Sequence, residues 1–300
     1  MPDAPHRCGV IAIAGRPNVG KSTLLNRLMG AKIAIVTPKP QTTRDRILGI
    51  WSQPGAQVLF HDTPGIHAPS KALNRRMVAE AEAALADADA ILMMTDADDA
   101  AGCLALDDLV LQRVRAAGKP TVLALNKIDL LSRPALLPLI DAYAKAGEWV
   151  AIVPICAADG DGVDELLRVL VPLVPEGPPM YPDDELSDRP LRFLAAEIVR
   201  EKLMLALRHE LPYSTAVTIE EFVEPEPPAA VRISALIHVE RDSQKGIVIG
   251  RGGAMLKQVG IAARTDIEAL VGRPVMLRLH VRVDPDWAAT DGGIARVLEE

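Results

Sequence analysis

Cysteine is scarce in this 300-residue chain. Cys8, Cys103 and Cys156 are too few and too far apart for a disulfide framework or a metal knuckle, and they read as free thiols of a reducing compartment. Aromatic residues are few as well, nine in all, which argues against base recognition on stacking platforms. No apolar run approaches the roughly 18 residues that a membrane span needs. The opening Met1-Pro2-Asp3-Ala4-Pro5-His6-Arg7 does not read as a basic leader ahead of an apolar stretch. The 21 glycines and 24 prolines are dispersed rather than tandem, which excludes collagen-like or low-complexity architecture. The chain is 49% hydrophobic and 24% charged. That supports folded cores in about two domains.

The net charge of −7 is unevenly spread. Between Val231 and Val283 nine cations (Arg232, Arg241, Lys245, Arg251, Lys257, Arg264, Arg273, Arg278, Arg282) face four acids (Glu240, Asp242, Asp266, Glu268). That segment is +5 and the remainder −12, so a polyanion can be bound locally by an acidic protein.

The first 175 residues alternate short apolar runs with helical stretches. The runs are Val10–Ala14, Gln57–Phe60, Ala90–Thr95, Thr121–Leu125 and Ala151–Ile155; the helical stretches are Lys21–Met29, Lys71–Ala86, Ala105–Ala117 and Asp164–Val171. This pattern predicts an α/β domain with a mainly parallel sheet covered on both faces, and ligands in such sheets bind beyond the carboxyl ends of the strands. Four prolines between Pro175 and Pro182, then an acidic patch, predict an ordered or semi-rigid linker over 176–190. Residues 191–300 read as a smaller α+β domain. A long amphipathic stretch, Leu191–His209, precedes paired strands at Ser214–Val223 and Val231–Val239. A glycine cluster then opens a helix to about Val271, and Val275–Val283 is a last strand.

Gly15-Arg16-Pro17-Asn18-Val19-Gly20-Lys21-Ser22 fits G-x4-G-K-[ST] between a strand and a helix, with Thr23 next. Glycines let the backbone wrap phosphates so that N–H groups converge at a helix N-terminus; Lys21 brings a point charge and the Ser22 hydroxyl suits Mg²⁺. Asn126-Lys127-Ile128-Asp129 follows the Thr121–Leu125 strand. The Asp129 carboxylate is acceptor-only and matches the N1–H and N2–H₂ donors of guanine, whereas adenine would leave it unpaired. Asn126 would brace the loop, and the Lys127 stem would lie over the base. Asp62-Thr63-Pro64-Gly65 ends another strand; there Asp62 can hold the metal through water and the Gly65 N–H can sense a γ-phosphate. Between these motifs lie Thr42 and Thr43, either of which can supply a second metal hydroxyl; we favour Thr43, with Thr42 as the alternative. Cys156-Ala157-Ala158 would place a backbone N–H on the guanine carbonyl. The order and spacing resemble a translation-factor-type GTPase.

In the second half, Ile249-Gly250-Arg251-Gly252-Gly253 enters a helix carrying Lys257, inside the basic segment that also holds Lys245. This reads as the G-x-x-G turn of a KH module, which clamps about four nucleotides of backbone without needing aromatic stacking. Further matches are Gln41-Thr42-Thr43-Arg44, Arg192-Phe193-Leu194-Ala195-Ala196-Glu197-Ile198-Val199-Arg200-Glu201-Lys202, Glu210-Leu211-Pro212-Tyr213-Ser214 and Arg241-Asp242-Ser243-Gln244-Lys245-Gly246. With them, residues 8–287 resemble the bacterial Era family.

That resemblance implies a P-loop GTPase domain followed by a type II KH domain. It also implies a cytoplasmic, monomeric ribosome-assembly GTPase using Mg²⁺ and cycling between GTP and GDP. The KH domain would bind the 3′ end of 16S rRNA and the 30S subunit, and peripheral association with the inner face of the cell membrane is implied too. Asn18 resembles a GTPase subclass that uses K⁺ in place of an arginine finger. Cys156 stands where the family commonly has Ser; the contact there is expected through the backbone, with little effect. Asp284-Pro285-Asp286-Trp287 is less basic than expected of the family, and the tail beyond matches nothing of use. Ile66 occupies the place where many GTPases carry a water-positioning Gln. Slow intrinsic hydrolysis is therefore expected, accelerated by a partner or by ordering of the Thr42–Arg46 loop, unless another group takes that role. Two other readings are an RNA-binding chaperone with a relic nucleotide domain, and a nucleotide-binding protein with a different polyanion partner.

Overall fold

The computed structural model describes residues 6–66, 72–97, 103–208, 211–285 and 287–298. Lys71, His209 and Glu210, at the ends of predicted stretches, lie outside them. The described chain forms two compact units, the first running to Asp188 and the second starting at Arg189; Ile35–Lys39 and residues 72–76 group with the second.

In the first unit the elements follow in the order β1 (Arg7–Gly15), α1 (Lys21–Met29), β2 (Ile47–Gln53), β3 (Ala56–Asp62), α2 (Ala72–Asp87), β4 (Ala90–Asp96), α3 (Cys103–Leu106), α4 (Asp108–Ala117), β5 (Thr121–Asn126), α5 (Arg133–Ala146), β6 (Ala151–Pro154) and α6 (Val163–Leu170). The six strands form one sheet in the order β2-β3-β1-β4-β5-β6, parallel except for β2, which is antiparallel to β3. Two apolar layers account for the continuous hydrophobic strands. One holds Ile11, Ile13, Phe60, Leu92 and Val122, the other Ala12, Ala14, Ile91, Met93 and Leu123. Alternate residues of the same strands therefore enter opposite cores, which a parallel sheet covered on both faces requires.

Two elements escape the periodicity reading. The apolar pattern of β2 is broken by Gly49, where a Cβ would stand 2.5 Å from Leu25 Cδ1, so the strand's backbone packs closely against α1 there. α5 carries Pro138 in its interior and a further proline in its first turn. Prolines argue against helix in a sequence, at about 3 kcal/mol for an interior one, and burial of Leu139 and Tyr143, at about 1.5–3 kcal/mol each, offsets that cost.

The proline-rich stretch lies along this unit's sheet edge. Ile50 N–H donates to Leu186 O (2.9 Å), and Ser187 Oγ donates to Leu48 O (2.6 Å). The fully buried Gln57 side chain accepts from the Met180 and Tyr181 amides (2.7 and 3.0 Å) and donates to Tyr181 O (2.9 Å). Thus the exposed edge that β2 would present is covered by the chain's own backbone.

The second unit runs α7 (Leu191–Ala206), β7 (Ala216–Val223), β8 (Val231–Val239), α8 (Asp242–Ile249), α9 (Ala254–Val271), β9 (Val275–Val283) and α10 (Asp291–Leu298). Its sheet has the order β7-β8-β9, with β7 antiparallel and β9 parallel to β8. This α-β-β-α-α-β order is that of a type II KH module. Val199, Leu203, Ile233, Ile237, Val259 and Ile267 close its core. Trp287 is fully buried and donates its indole N–H to Ser214 O (3.2 Å). Within the same unit Val36 N–H donates to Glu201 Oε1 (3.0 Å). Asp284 accepts from Arg282 Nε (2.9 Å) and lies 2.6 Å from His238 Nδ1, so the acid that interrupts the basic run closes the strand ends.

Truncating Gln57 to Ala would leave two amides and a carbonyl of the strap without their partners. We expect a loss of about 2–4 kcal/mol in urea unfolding of the first unit, from the cost of buried groups left unpaired. A change below 0.5 kcal/mol would show that the strap contributes little.

Candidate functional site

The chemistry-bearing residues of the first unit lie at the carboxyl ends of β1, β3, β5 and β6. Between β1 and α1 the loop adopts left-handed backbone at Asn18 (φ 65°) and Gly20 (φ 100°). Such alternation turns successive N–H groups toward one concavity at the start of α1. Gly20 is also a steric necessity, since a Cβ there would stand 2.2 Å from Asn126 Nδ2. Val19 sends its side chain into the core, and Thr23 is half-buried in the first turn of α1. Lys21 is buried, and its ammonium donates to Gly15 O (3.1 Å) and Arg16 O (3.0 Å). Burial pulls its pKa down to about 8, against the opposing pull of Asp62.

Three oxygens converge beside it. Ser22 Oγ donates to Asp62 Oδ2 (2.5 Å) and lies 2.9 Å from Thr43 Oγ1, which is itself 3.3 Å from Asp62 Oδ2. Of the two adjacent threonines, Thr43 is the buried one brought to this cluster; Thr42 is half-buried beside it. Asp62 is fully buried, and its Oδ1 has no hydrogen-bond partner. Burial raises its pKa, with Lys21, Ser22 and Thr43 opposing. An orphaned buried carboxylate oxygen beside two hydroxyls is a hard, oxygen-rich donor set, and it fits a hydrated Mg²⁺.

The turn after Asp62 is fastened to the phosphate loop. Ile66 N–H donates to Gly15 O (3.2 Å), and a Cβ on Gly65 would meet Pro17 N at 2.7 Å. Thr63 is buried and gives its hydroxyl to Ile13 O (2.7 Å), so its side chain serves the strand; Pro64 is buried too. Ile66 packs among Ala12, Ala14 and Ala81. An apolar side chain in that layer orients no water.

Asn126 ties together the loops after β1, β5 and β6. Its Nδ2 donates to Val19 O (2.7 Å), and its Oδ1 accepts from Ala157 N–H (2.9 Å). Lys127 is left-handed (φ 64°), and Asp129 is exposed in the short helix that follows. Ala157 is buried and Ala158 exposed; Arg27 of α1 donates to both carbonyls. The thiol of Cys156 donates to Asp129 Oδ1 (3.2 Å). This is a side-chain contact, not only the backbone one anticipated, and the string Cys-Ala-Ala held no signal for it. Burial pushes the thiol pKa up and keeps it a donor. Sequence reasoning also passed over Arg16, whose guanidinium bonds Asp96 and Asp107. Those acids lie about 80 and 90 residues away, so spacing carries no trace of the contact.

In the second unit α8 ends at Ile249, and Gly250 (φ 73°), Gly252 (φ 58°) and Gly253 (φ 78°) turn the chain into α9. A Cβ on Gly250 would meet Met255 N at 2.9 Å, whereas nothing lies within 4 Å of one on Gly252 or Gly253. The first glycine therefore serves packing, and the other two leave open backbone at the start of an 18-residue helix. Arg251 and Lys257 are exposed, and Lys245 and Ile249 are half-buried. Among the described residues none of these three cations has a carboxylate partner.

A phosphate loop, an oxygen cluster for a divalent cation and an Asn-braced acidic loop, all on a mainly parallel sheet, define a P-loop GTPase domain. A type II KH module follows it. A family model described as 50S ribosome-binding GTPase matches residues 10–127, and one described as KH domain matches residues 210–288. The chain is 48% identical to GTPase Era of Geobacter metallireducens over 300 residues, 100% of this chain and 99% of that one. It is also 48% identical to GTPase Era of Lacticaseibacillus paracasei over 282 residues, 94% and 93% of the two chains. Its structure matches an Aquifex aeolicus Era variant bound to GDP·AlF4⁻ (TM-score 0.92, 41% identity, 97% of this chain and 99% of that one). It matches equally an Era in complex with MgGDPNP and nucleotides 1506–1542 of 16S ribosomal RNA (TM-score 0.92, 42% identity, 98% and 99%). The chain belongs to the GTPase Era family, and its enzymatic activity is GTP hydrolysis.

Replacing Cys156 with Ala removes a donor from Asp129. GDP affinity should fall about three- to tenfold, the range of an ordinary net hydrogen bond of about 0.7–1.4 kcal/mol, because S–H is a weak donor even to a charged acceptor. Cys156→Ser should restore it. An unchanged Kd in the alanine variant would assign the thiol to packing alone.

Proposed function

We propose that this protein is a GTP-hydrolysing switch that binds the 3′ end of 16S rRNA through its KH unit and assists assembly of the 30S subunit. The nucleotide half is carried by the convergence of Ser22, Thr43 and the unpartnered Asp62 oxygen beside a buried Lys21. The RNA half is supported by the open Gly252-Gly253 backbone with its unpaired cations, and by the relative whose crystal structure holds nucleotides 1506–1542 of 16S rRNA.

In this reading Ser22 and Thr43 hold Mg²⁺ directly and Asp62 holds it through water. When bound, the ion supplies charge neutralisation for the phosphates. Lys21 exchanges its two carbonyl partners for phosphate oxygens, and the loop amides around Asn18, Val19 and Gly20 take others. Asp129 accepts from the guanine edge, the Lys127 stem covers its plane, and the Ala157–Ala158 backbone meets its carbonyl. Ile66, held in the core, leaves attacking water unoriented, so intrinsic turnover is slow and rises when a partner orders the Thr42–Thr43 loop. K⁺ held at Asn18 is part of the proposal. Nucleotide state and RNA affinity are linked, and by reciprocity RNA shifts nucleotide affinity by the same factor. The protein works as a monomer in the cytoplasm, with any membrane association peripheral and at the inner face. The proposed domain limits are 1–175 for the GTPase domain, 176–190 for a linker whose residues to Asp188 pack with the first unit, and 191–300 for the KH domain.

The test is GTP turnover with and without RNA spanning nucleotides 1506–1542. RNA should accelerate turnover, Lys21→Ala should abolish it, and Gly252→Asp with Gly253→Asp should remove RNA binding while preserving basal turnover. RNA binding that survives the double substitution, or shows no salt dependence, would place it elsewhere. Replacing NaCl with KCl should raise turnover, and equal rates in the two salts would remove the monovalent cation from the mechanism.

A further inference from the structure

Beside the nucleotide site lies a charged network whose two carboxylates, Asp96 and Asp107, are assigned no contact with nucleotide. Arg16 belongs to the phosphate loop, and its carbonyl accepts from Lys21 Nζ at 3.0 Å. Its guanidinium meanwhile bonds two carboxylates, through Nη2 to Asp96 Oδ1 (2.9 Å) and through Nε to Asp107 Oδ1 (2.5 Å). Asp96 closes β4, and its second oxygen accepts from Lys127 Nζ of the guanine loop at 3.1 Å. Asp107 immediately precedes α4 and is fully buried. Its second oxygen accepts from the buried Tyr143 hydroxyl of α5 (2.5 Å), and that hydroxyl lies 3.1 Å from Thr95 Oγ1.

The arrangement is specific. Two cations from two separate loops, which cannot bond each other, meet on the two oxygens of one carboxylate. A second carboxylate clamps Arg16 and fixes it to α5. Burying a carboxylate is costly unless it is paired and hydrogen-bonded, and removing one member of such a network costs more than its own bond. Shifting Arg16 drags on the backbone that receives Lys21. Shifting Lys127 moves the segment that presents Asp129.

We propose that Asp96 and Asp107 are positioning residues that join the phosphate loop and the guanine loop into one unit, with Asp96 as the shared anchor. The inference rests on the nucleotide reading above. It adds that recognition of the base is felt at the phosphate loop through Arg16. Neither acid needs to touch nucleotide for this.

The test is a double-mutant cycle read by equilibrium binding of fluorescently labelled GDP. Arg16→Gln and Lys127→Gln are made singly and together, each in the wild-type and the Asp96→Asn background. With Asp96 present, the combined loss of affinity should fall at least fivefold short of the product of the single losses, because each change breaks the same joint. In the Asp96→Asn background the losses should multiply. Losses that multiply in both backgrounds would overturn the proposal, as would an Asp96→Asn variant with an unchanged Kd. Asp107→Asn should raise the GDP Kd at least tenfold. Should that buried substitution prevent folding, the cycle around the more accessible Asp96 decides the matter alone. Failure of the wild type to prefer GDP over ADP would strike the nucleotide reading itself, a result distinct from additivity in the cycle.

Discussion

One side-chain amide carries the architecture of the nucleotide site. Asn126 bonds the carbonyl of Val19 with its NH₂ and the amide of Ala157 with its oxygen, so it ties the phosphate loop to the turn after β6. Buried as it is, the amide cannot change partners without leaving a donor or acceptor unpaired. Gly20 exists on the same terms: any side chain there would collide with that amide. The sheet delivers the three loops to one end, and Asn126 fixes their spacing once they arrive.

The divalent-cation corner follows from a different constraint. Asp62 is held in a fully buried position where its charge is costly, and only Lys21, Ser22 and Thr43 oppose that cost. A carboxylate left with one oxygen unpartnered is a poor device for stability and a good one for holding a hydrated cation. The KH turn shows the complementary economy. Its exposed glycine backbone is bordered by cations without carboxylate partners, so its potential is available to an incoming polyanion.

Much of this was legible in the residues before any coordinates, because loops that wrap phosphates or read guanine use local strings of fixed spacing. Gly15–Ser22, Asp62–Gly65, Asn126–Asp129 and Gly250–Gly253 are short local strings, and each stands in the structure at the loop its spacing predicts. The parts that escaped are non-local. β2 hides behind Gly49, where its backbone packs closely against α1, and α5 is obscured by prolines whose cost its burial offsets. The proline-rich stretch reads as a connector, yet Gln57 and Leu48, some 120 to 140 residues earlier, recruit it as a cover for the sheet edge. The Cys156 thiol and the Arg16 network belong to the same class. Each is a pairing between residues far apart in the chain, each is made of side chains that are unremarkable in sequence, and each acts on the geometry of a motif that was itself easy to see.

The central claim is that Asp129, set by Asn126 and its neighbours, reads guanine through an acceptor-only carboxylate. Exchanging it for an amide tests this most directly. Xanthine differs from guanine by a carbonyl in place of the 2-amino group, so Asp129→Asn should lose GDP and gain XDP in competition binding at millimolar magnesium, while the wild type binds GDP and rejects both XDP and ADP. A wild type that prefers ADP, or a variant whose preference among the three diphosphates is unchanged, would contradict the account.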